Sequence, residues 1–88
     1  MQHWYVYLLR CADDSLYCGI TTDINRRLKE HNAGTASKYT RPRRPVALAA
    51  CGEVADKSTA LKLEIEIKKQ HRNHKIAHLK TFTDALQE

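Results

Sequence analysis

An α+β fold is predicted for this chain: a small, three-stranded, mostly antiparallel sheet flanked by helices, in the order β-β-α-β-α-α. Two short runs rich in aromatic and β-branched residues, separated by the turn-forming stretch Ala12-Asp13-Asp14-Ser15, indicate a hairpin. Two segments with helical periodicity follow, with a third short apolar run between them. The 88 residues contain no repeat and no linker, which predicts one domain over residues 1–80 and a polar C-terminal tail at 81–88.

The three predicted strands are residues 3–10, 16–20 and 46–51. Side chains alternate between the two faces of a strand, and in the first strand both sets are largely apolar. This strand should therefore be covered on both sides. One face is predicted to carry Trp4, Val6 and Leu8, and the other to carry Tyr5, Tyr7 and Leu9.

Cap residues mark the ends of the predicted helices, because Thr, Asp and Ser can accept hydrogen bonds from free backbone N–H groups and Gly suits a left-handed cap. The first helix is predicted to start at Thr22 or Asp23 and to end just before Gly34. The second is predicted over residues 56–72, with Asp56 or Ser58 as its cap. A shorter third helix is predicted over about residues 73–80. The stretch 32–45 between the first helix and the third strand has neither helical nor strand periodicity. A structureless segment of this length is usually functional or disordered.

The first helix directs its two adjacent arginines to different surroundings. Ile24, Leu28 and His31 fall on one helical face. Arg27 lies at the border of that apolar stripe, beside His31, whereas Arg26 points to the opposite side. We therefore expect Arg26 to be a solvated surface charge and Arg27 to reach toward the sheet.

The second helix turns a carboxylate inward. Glu64 falls near the middle of the apolar face, which also carries His71, whereas Glu66 lies away from it. An ionised carboxylate directed inward needs a partner or a metal, because burying it bare is very costly. Two interpretations stay open from the residues alone: a partly buried Arg27–Glu64 ion pair that fixes the packing, or a cleft in which a cation and a metal-binding carboxylate face one phosphate.

Cysteines and histidines give weak signals for a separate metal site. The three cysteines, Cys11, Cys18 and Cys51, are odd in number and lack CxxC spacing, which indicates buried, reduced thiols in a cytoplasmic protein. His71, His74 and His78 would share one helix face if the helix continued that far, but their spacing alone does not require a metal.

The chain resembles the GIY-YIG nuclease domain. The two short motifs of that family correspond to Tyr5-Val6-Tyr7 and Tyr17-Cys18-Gly19, the strand-to-helix pattern of the family corresponds to residues 19–31, and the segment ALKLE supplies its glutamate. The stretches LRCADDSLYCGITTDINRRLKEHNAG, SKYTRPRRPV and ALKLEIEIKK are similar to the small, stand-alone bacterial members, the YhbQ-like proteins. The resemblance covers about residues 4–80.

This resemblance implies a metal-dependent endonuclease that hydrolyses DNA phosphodiester bonds with Mg²⁺ or Mn²⁺. Carried over position by position, the implied catalytic residues are Tyr7, Tyr17, Arg27, His31 and Glu64. Arg27 would stabilise charge on the phosphate, and a metal on Glu64 would hold the leaving group. A tyrosine or His31 would orient or deprotonate the water, and nearby cations would favour a phenolate. Tyr7 and Tyr17 share a sheet face only if the numbers of cross-strand partners in the hairpin sum to an even number.

The charge of the chain agrees with a nucleic-acid partner. The net charge is +5 and the pI near 9.3, which is typical of polyanion binders. Within the loop that follows the first helix, cations could track a phosphate backbone and a tyrosine could stack on a base. The nucleic-acid-binding residues predicted in this loop are Lys38, Tyr39, Arg41, Arg43 and Arg44.

The leading hypothesis is an endonuclease with little sequence specificity, acting on duplex, single-stranded or branched DNA in repair or processing. No apolar run approaches the ~18 residues of a membrane span, so a soluble protein is expected, and the cysteine pattern favours a cytoplasmic location. A protein partner that delivers the DNA is left open. The alternatives are a non-catalytic nucleic-acid-binding module on the same fold and a protein-interaction domain with a structural Arg27–Glu64 pair.

Overall fold

The structure, a computed structural model, describes residues 3–87 of the chain and the side chains of residues 3–82. Its helices and strands follow the predicted order β-β-α-β-α-α, which confirms the α+β class. The elements are β1 (Trp4–Arg10), β2 (Leu16–Thr21), α1 (Ile24–Ala33), β3 (Ala47–Val54), α2 (Lys57–Lys68) and α3 (Arg72–Gln87), with a short 3₁₀ turn at Arg41–Arg43 before β3. None of the described helices is long and apolar enough to cross a membrane.

The hairpin of β1 and β2 has the register that the candidate site requires. β1 lies in the middle of the antiparallel sheet, with β2 and β3 at its edges. Tyr7 pairs with Gly19 and Leu9 pairs with Tyr17, so the numbers of the cross-strand partners sum to an even value. Tyr7 and Tyr17 therefore project from the same face of the sheet.

Both faces of β1 are covered, as its sequence predicts. On one face, Val6 and Leu8 pack with the buried side chains of α2 and with Leu79 of α3. On the other face, Tyr7 and Leu9 form a smaller cluster, against which Ile24 and Leu28 of α1 pack. The sheet thus separates α1 from α2 and α3.

The caps of α1 agree with the prediction. The Asp23 carboxylate accepts a hydrogen bond from the backbone N–H of Arg26 at 3.0 Å, which fixes the first turn. Gly34 ends the helix at a φ of 83°, a left-handed conformation that favours glycine. These two ends determine which α1 side chains face the sheet.

Three predicted boundaries are wrong, and one predicted loop contains a short turn of helix. The third strand continues to Val54 because it pairs along the whole length of β1, where Trp4 faces Val54. The second helix ends at Lys68 because the next two residues form 3₁₀-type hydrogen bonds, in which the backbone N–H donates to the carbonyl three residues before it. The third helix starts at Arg72 and runs to Gln87, through the predicted tail, since no Pro or Gly interrupts it. The stretch predicted to be structureless contains the 3₁₀ turn, which Pro42 favours. Glu88 lies outside the described residues.

Candidate active site

A tyrosine from β1 and a histidine from α1 form the centre of the candidate site. The Tyr7 hydroxyl lies 2.9 Å from Nε2 of His31, a hydrogen bond between two buried side chains. His31 is fully buried, and only 2% of Tyr7 is exposed. The apolar stripe of α1 turns His31 toward the sheet, where the alternation of β1 presents Tyr7.

The Tyr7 ring packs over Gly19, its cross-strand partner on β2. A Cβ atom on Gly19 would lie 2.5 Å from the Tyr7 hydroxyl oxygen and 2.6 Å from Cζ. Real Cβ contacts are not this short, so only glycine leaves room for the ring in this position. Gly19 therefore sets where the Tyr7 hydroxyl lies.

Tyr17 lies beside this pair on the same face of the sheet. Its ring centroid is 5.1 Å from that of His31 and 6.5 Å from that of Tyr7. Tyr17 is half-buried, whereas Tyr7 and His31 are buried. Of the three rings, Tyr17 is thus the most accessible to a substrate.

Arg27 supplies the positive charge of the site. Its guanidinium lies beside the Tyr7 hydroxyl, and this contact raises the Arg27 pKa. It also forms an ion pair with Glu30 at 3.2 Å, and 35% of the side chain is exposed. Arg26 is exposed, as predicted, so the two adjacent arginines do have different surroundings.

Glu64 is placed apart from the other four residues. It belongs to α2, on the opposite face of the sheet, where its charge acts on the Cys18 thiol. Its side chain is 18% exposed and forms an ion pair with Lys68 at 3.7 Å. The structure therefore brings together Tyr7, Tyr17, Arg27 and His31, and leaves Glu64 across the edge strand β2.

The Arg27–Glu64 ion pair, one of the two interpretations left open by the sequence, does not form. Arg27 pairs with Glu30, and Glu64 pairs with Lys68. The helical periodicity correctly showed that both side chains turn inward. Periodicity does not show which face of the sheet each helix covers, and α1 and α2 cover opposite faces.

Burial determines the protonation of the central pair. Desolvation raises the Tyr7 pKa to about 12, although the nearby Arg27 opposes the shift. The expectation that nearby cations would favour a phenolate is therefore wrong for Tyr7, because burial outweighs Arg27. Burial, together with the positive charge of Arg27, lowers the His31 pKa. Both groups are thus neutral near pH 7.

Thr40 is a member of the site that the sequence did not reveal. This residue is fully buried, and its Oγ1 lies 2.8 Å from Nδ1 of His31. A threonine in an aperiodic, charged loop resembles any solvated loop residue. Its burial follows from how the loop folds back onto α1, which no sequence period encodes.

The cations predicted to bind nucleic acid hold their own loop together. Arg41 donates to the Gly34 carbonyl at 2.9 Å, and Arg44 donates to the Arg41 carbonyl at 2.8 Å. Arg43 forms an ion pair with Asp13 at 2.9 Å. Lys38 is exposed. Because a guanidinium has five N–H donors, these contacts leave donors that could meet phosphates.

The aromatic ring of this loop already has partners. Tyr39 stacks on Tyr17 at a centroid distance of 5.9 Å, and the Arg43 guanidinium lies 4.0 Å from the Tyr39 ring centroid. Tyr39 therefore packs against the site, and its ring already contacts Tyr17 and Arg43.

The histidines of the C-terminal half do not form a metal centre. His71 is exposed and precedes α3, which corrects its predicted place on the buried face of the second helix. His78 lies 3.4 Å from Glu66. Among the described residues, no group of three or more His, Cys, Asp or Glu side chains could hold a metal ion.

Comparison with known proteins shows the family to which this chain belongs. The GIY-YIG catalytic domain family matches residues 3–77 of the chain. The chain belongs to the GIY-YIG family. The GIY-YIG domain is a nuclease fold, which agrees with the family resemblance of the sequence motifs.

Relatives and solved structures agree with this GIY-YIG assignment. A UPF0213 protein of Cupriavidus necator is 50% identical over 74 residues, which cover 84% of this chain and 80% of that protein. A UPF0213 protein of Haloquadratum walsbyi is 51% identical over 71 residues, which cover 81% and 80%. The solution NMR structure of an E. faecalis protein is 45% identical, with a TM-score of 0.65, and covers 93% of this chain and 88% of that one. That of a UPF0213 protein from Bacillus halodurans is 40% identical, with a TM-score of 0.56 and coverages of 92% and 86%.

Proposed function

We propose that this GIY-YIG domain is a metal-dependent endonuclease that hydrolyses DNA phosphodiester bonds. The observation that carries the proposal is the hydrogen bond between Tyr7 and His31 beside the Arg27 guanidinium. A neutral hydroxyl–imidazole pair can accept a proton, and an adjacent guanidinium can bind a phosphate. Hydrolysis of a phosphodiester needs both functions within reach of one phosphorus atom.

Arg27 is proposed to bind the reacting phosphate. Its guanidinium is partly exposed and presents a fork of donors that matches phosphate oxygens. Glu30 neutralises part of its charge in the free protein. An incoming phosphate would compete with Glu30 for these donors, and the interaction would strengthen as negative charge builds on the oxygens during attack.

Tyr7 and His31 are proposed to remove the proton of the attacking water. The water oxygen bonds to phosphorus while the bond to the leaving oxygen breaks. The water proton passes to the Tyr7 oxygen as the hydroxyl proton of Tyr7 passes to Nε2 of His31. The leaving oxygen takes a proton from bulk water. His31 is fully buried, so it meets the water only through Tyr7.

Glu64 is proposed to hold the divalent cation, Mg²⁺ or Mn²⁺. Its carboxylate is partly buried, its ion pair with Lys68 is long, and its charge acts on Cys18 of the edge strand β2. Mg²⁺ suits this donor set because it keeps several waters and commonly takes only one or two carboxylates. When bound, the metal would stabilise charge on the leaving oxygen.

The proposed substrate is DNA without a specific sequence, cut during repair or processing. The exposed donors of Lys38, Arg41 and Arg44 lie on the loop that also carries Tyr39, next to Tyr17. No predicted or observed element among the described residues resembles a helix that reads the major groove.

The free thiols of the three cysteines suit a reducing compartment, so we assign the activity to the cytoplasm.

The two adjacent arginines provide a matched test of this function. Labelled duplex, single-stranded and branched DNA would be incubated with the wild type, Arg27→Ala or Arg26→Ala, in Mg²⁺ or in EDTA. We expect Mg²⁺-dependent cutting by the wild type and by Arg26→Ala, and a loss of roughly 10²- to 10³-fold in Arg27→Ala. Because both variants remove one positive charge from the same helical turn, a general electrostatic effect would reduce both equally. DNA binding without any cutting by the wild type would instead favour the non-catalytic binding module.

A further inference from the structure

Thr40 occupies an unusual position for a loop residue. It lies between α1 and β3, immediately before the 3₁₀ turn, and is fully buried. Its Oγ1 atom lies 2.8 Å from Nδ1 of His31 and 3.4 Å from the Ser37 carbonyl oxygen. Both nitrogens of the buried imidazole therefore have partners, Tyr7 on one side and Thr40 on the other.

The direction of these hydrogen bonds follows from what each group can donate. A guanidinium only donates, so toward Arg27 the Tyr7 oxygen can act only as an acceptor. Tyr7 keeps its own proton at neutral pH and must donate it, and Nε2 of His31 is the acceptor at 2.9 Å. A neutral imidazole with an accepting Nε2 carries its proton on Nδ1, which faces Thr40. Thr40 then accepts from His31 and donates to Ser37.

We infer that Thr40 is a positioning residue that holds His31 in the Nδ1–H tautomer, with the lone pair of Nε2 aimed at the Tyr7 hydroxyl. Thr40 is not in contact with the open side of the site and acts only through His31. Its effect on cleavage rests on the function proposed above, whereas its effect on the tautomer does not.

The loop is built to hold Thr40 in place. The backbone N–H of Arg43 donates to the Thr40 carbonyl at 2.9 Å, and that of Arg41 donates to the Ser37 carbonyl at 3.2 Å. The preceding residue, Tyr39, stacks on Tyr17. The loop that carries the basic side chains thus also contacts two rings of the site, His31 through Thr40 and Tyr17 through Tyr39.

The tautomer can be measured without any substrate. Histidine-¹⁵N-labelled protein would be studied by long-range ¹H–¹⁵N correlation NMR near neutral pH, with His31→Gln used to assign the His31 signals. We expect the Nδ1–H form in the wild type and in Thr40→Ser, which keeps the hydroxyl. Thr40→Val has nearly the same shape but cannot accept a hydrogen bond, so it should shift His31 toward the Nε2–H form. An Nε2–H tautomer in the wild type, or an unchanged tautomer in a folded Thr40→Val, would overturn the inference.

Cleavage assays then test the consequence for the reaction. Because a wrong tautomer disables a histidine base, Thr40→Val should cut DNA roughly 10- to 100-fold more slowly at saturating enzyme, with an unchanged Kd for DNA. Thr40→Ser should restore most of the rate. If the wild type shows the Nδ1–H form but cuts no DNA, the proposed nuclease fails and the tautomer assignment stands. Equal rates for Thr40→Val and the wild type would contradict the role of Thr40 in the reaction.

Discussion

Tyr7 is positioned by residues that lie far apart in the sequence. Gly19 leaves room for its ring, Nε2 of His31 lies within hydrogen-bond distance of its hydroxyl, and Arg27 lies beside its oxygen. These groups come from β1, β2 and α1. Burial raises the pKa of the hydroxyl, so Tyr7 is neutral near pH 7, as the proposed proton relay to His31 requires.

The lowered pKa of His31 predicts an acid-sensitive stability. His31 is harder to protonate in the native protein than in the unfolded chain, where its pKa is ~6.5. Between the native His31 pKa and ~6.5 the unfolded chain binds more protons, so the free energy of unfolding should fall as pH falls through this window. The titratable groups that face His31 are Tyr7, Tyr17, Arg27 and Glu30.

Urea unfolding at a series of pH values measures this effect. We expect His31→Gln to lose part of the pH dependence below ~6.5 that the wild type shows. His71→Gln replaces an exposed histidine and serves as the control for the loss of an imidazole outside the site. A wild-type free energy of unfolding that rises on acidification across this window would contradict a buried, neutral His31.

Helical periodicity alone predicted which α1 residues face the sheet, because it turns His31 and Arg27 inward. Tyr7 and Tyr17 came from the family resemblance, and whether they share a face depended on the hairpin register, which the structure supplies. Thr40 could not be found this way, because it lies in a loop whose path depends on tertiary contacts. The dominance of burial over the Arg27 charge in the Tyr7 pKa also follows only from packing.

At the scale of elements, the hairpin is the part that sets the precision of the site. The edge strand β2 contributes the Tyr17 side chain to the site. It also contains Gly19, which leaves room for the Tyr7 ring because it has no side chain. α1 then covers this face, with Asp23 and Gly34 fixing its two ends. A small change in β2 should therefore alter the chemistry without altering the fold class.

Gly19→Ala tests this dependence. The added Cβ would meet Cζ of Tyr7 at 2.6 Å, so the ring must move or the strand must shift. We expect destabilisation by roughly 1–3 kcal/mol, as for other overpacked positions, and cleavage slower by about 100-fold because the hydroxyl is misplaced. Both are measured on one preparation, by thermal unfolding and by single-turnover cleavage at a temperature where the variant is folded.

Asp23→Ala is the control for Gly19→Ala. It removes the N-cap of α1 and should cost about 1 kcal/mol of stability. Because Asp23 is exposed and outside the site, cleavage by the folded variant should stay near the wild-type rate. A Gly19→Ala protein that cuts as fast as Asp23→Ala would show that the Tyr7 position is not critical.

Element boundaries were predicted less well than element types. Strong caps fixed α1 correctly, whereas β3 and α3 both extend further than their local patterns indicate. β3 is extended by pairing with β1, and α3 by the lack of a helix-breaking residue. Pairing of this kind joins distant segments, so a local sequence window does not contain it.

At the scale of the whole molecule, the sheet divides the candidate site into two parts. The rings and Arg27 lie on the α1 face, and Glu64 lies on the α2 face, with the edge strand β2 between them. The sequence showed that Glu64 turns inward but not on which side of the sheet, because helix placement is a property of the assembled fold. A DNA strand passing along the β2 edge could contact both parts.

Cleavage by Glu64→Gln, compared with Glu66→Gln, tests most directly whether the two faces form one metal-dependent nuclease site. Both changes remove one carboxylate charge from α2, but Glu64 is partly buried near β2 and Glu66 is exposed. With Mg²⁺, we expect Glu66→Gln to cut DNA like the wild type and Glu64→Gln to cut it at least about 100-fold more slowly. The two variants should have equal thermal stability, and no protein should cut DNA in EDTA. Equal, Mg²⁺-dependent cleavage by both variants would contradict a site that uses Glu64.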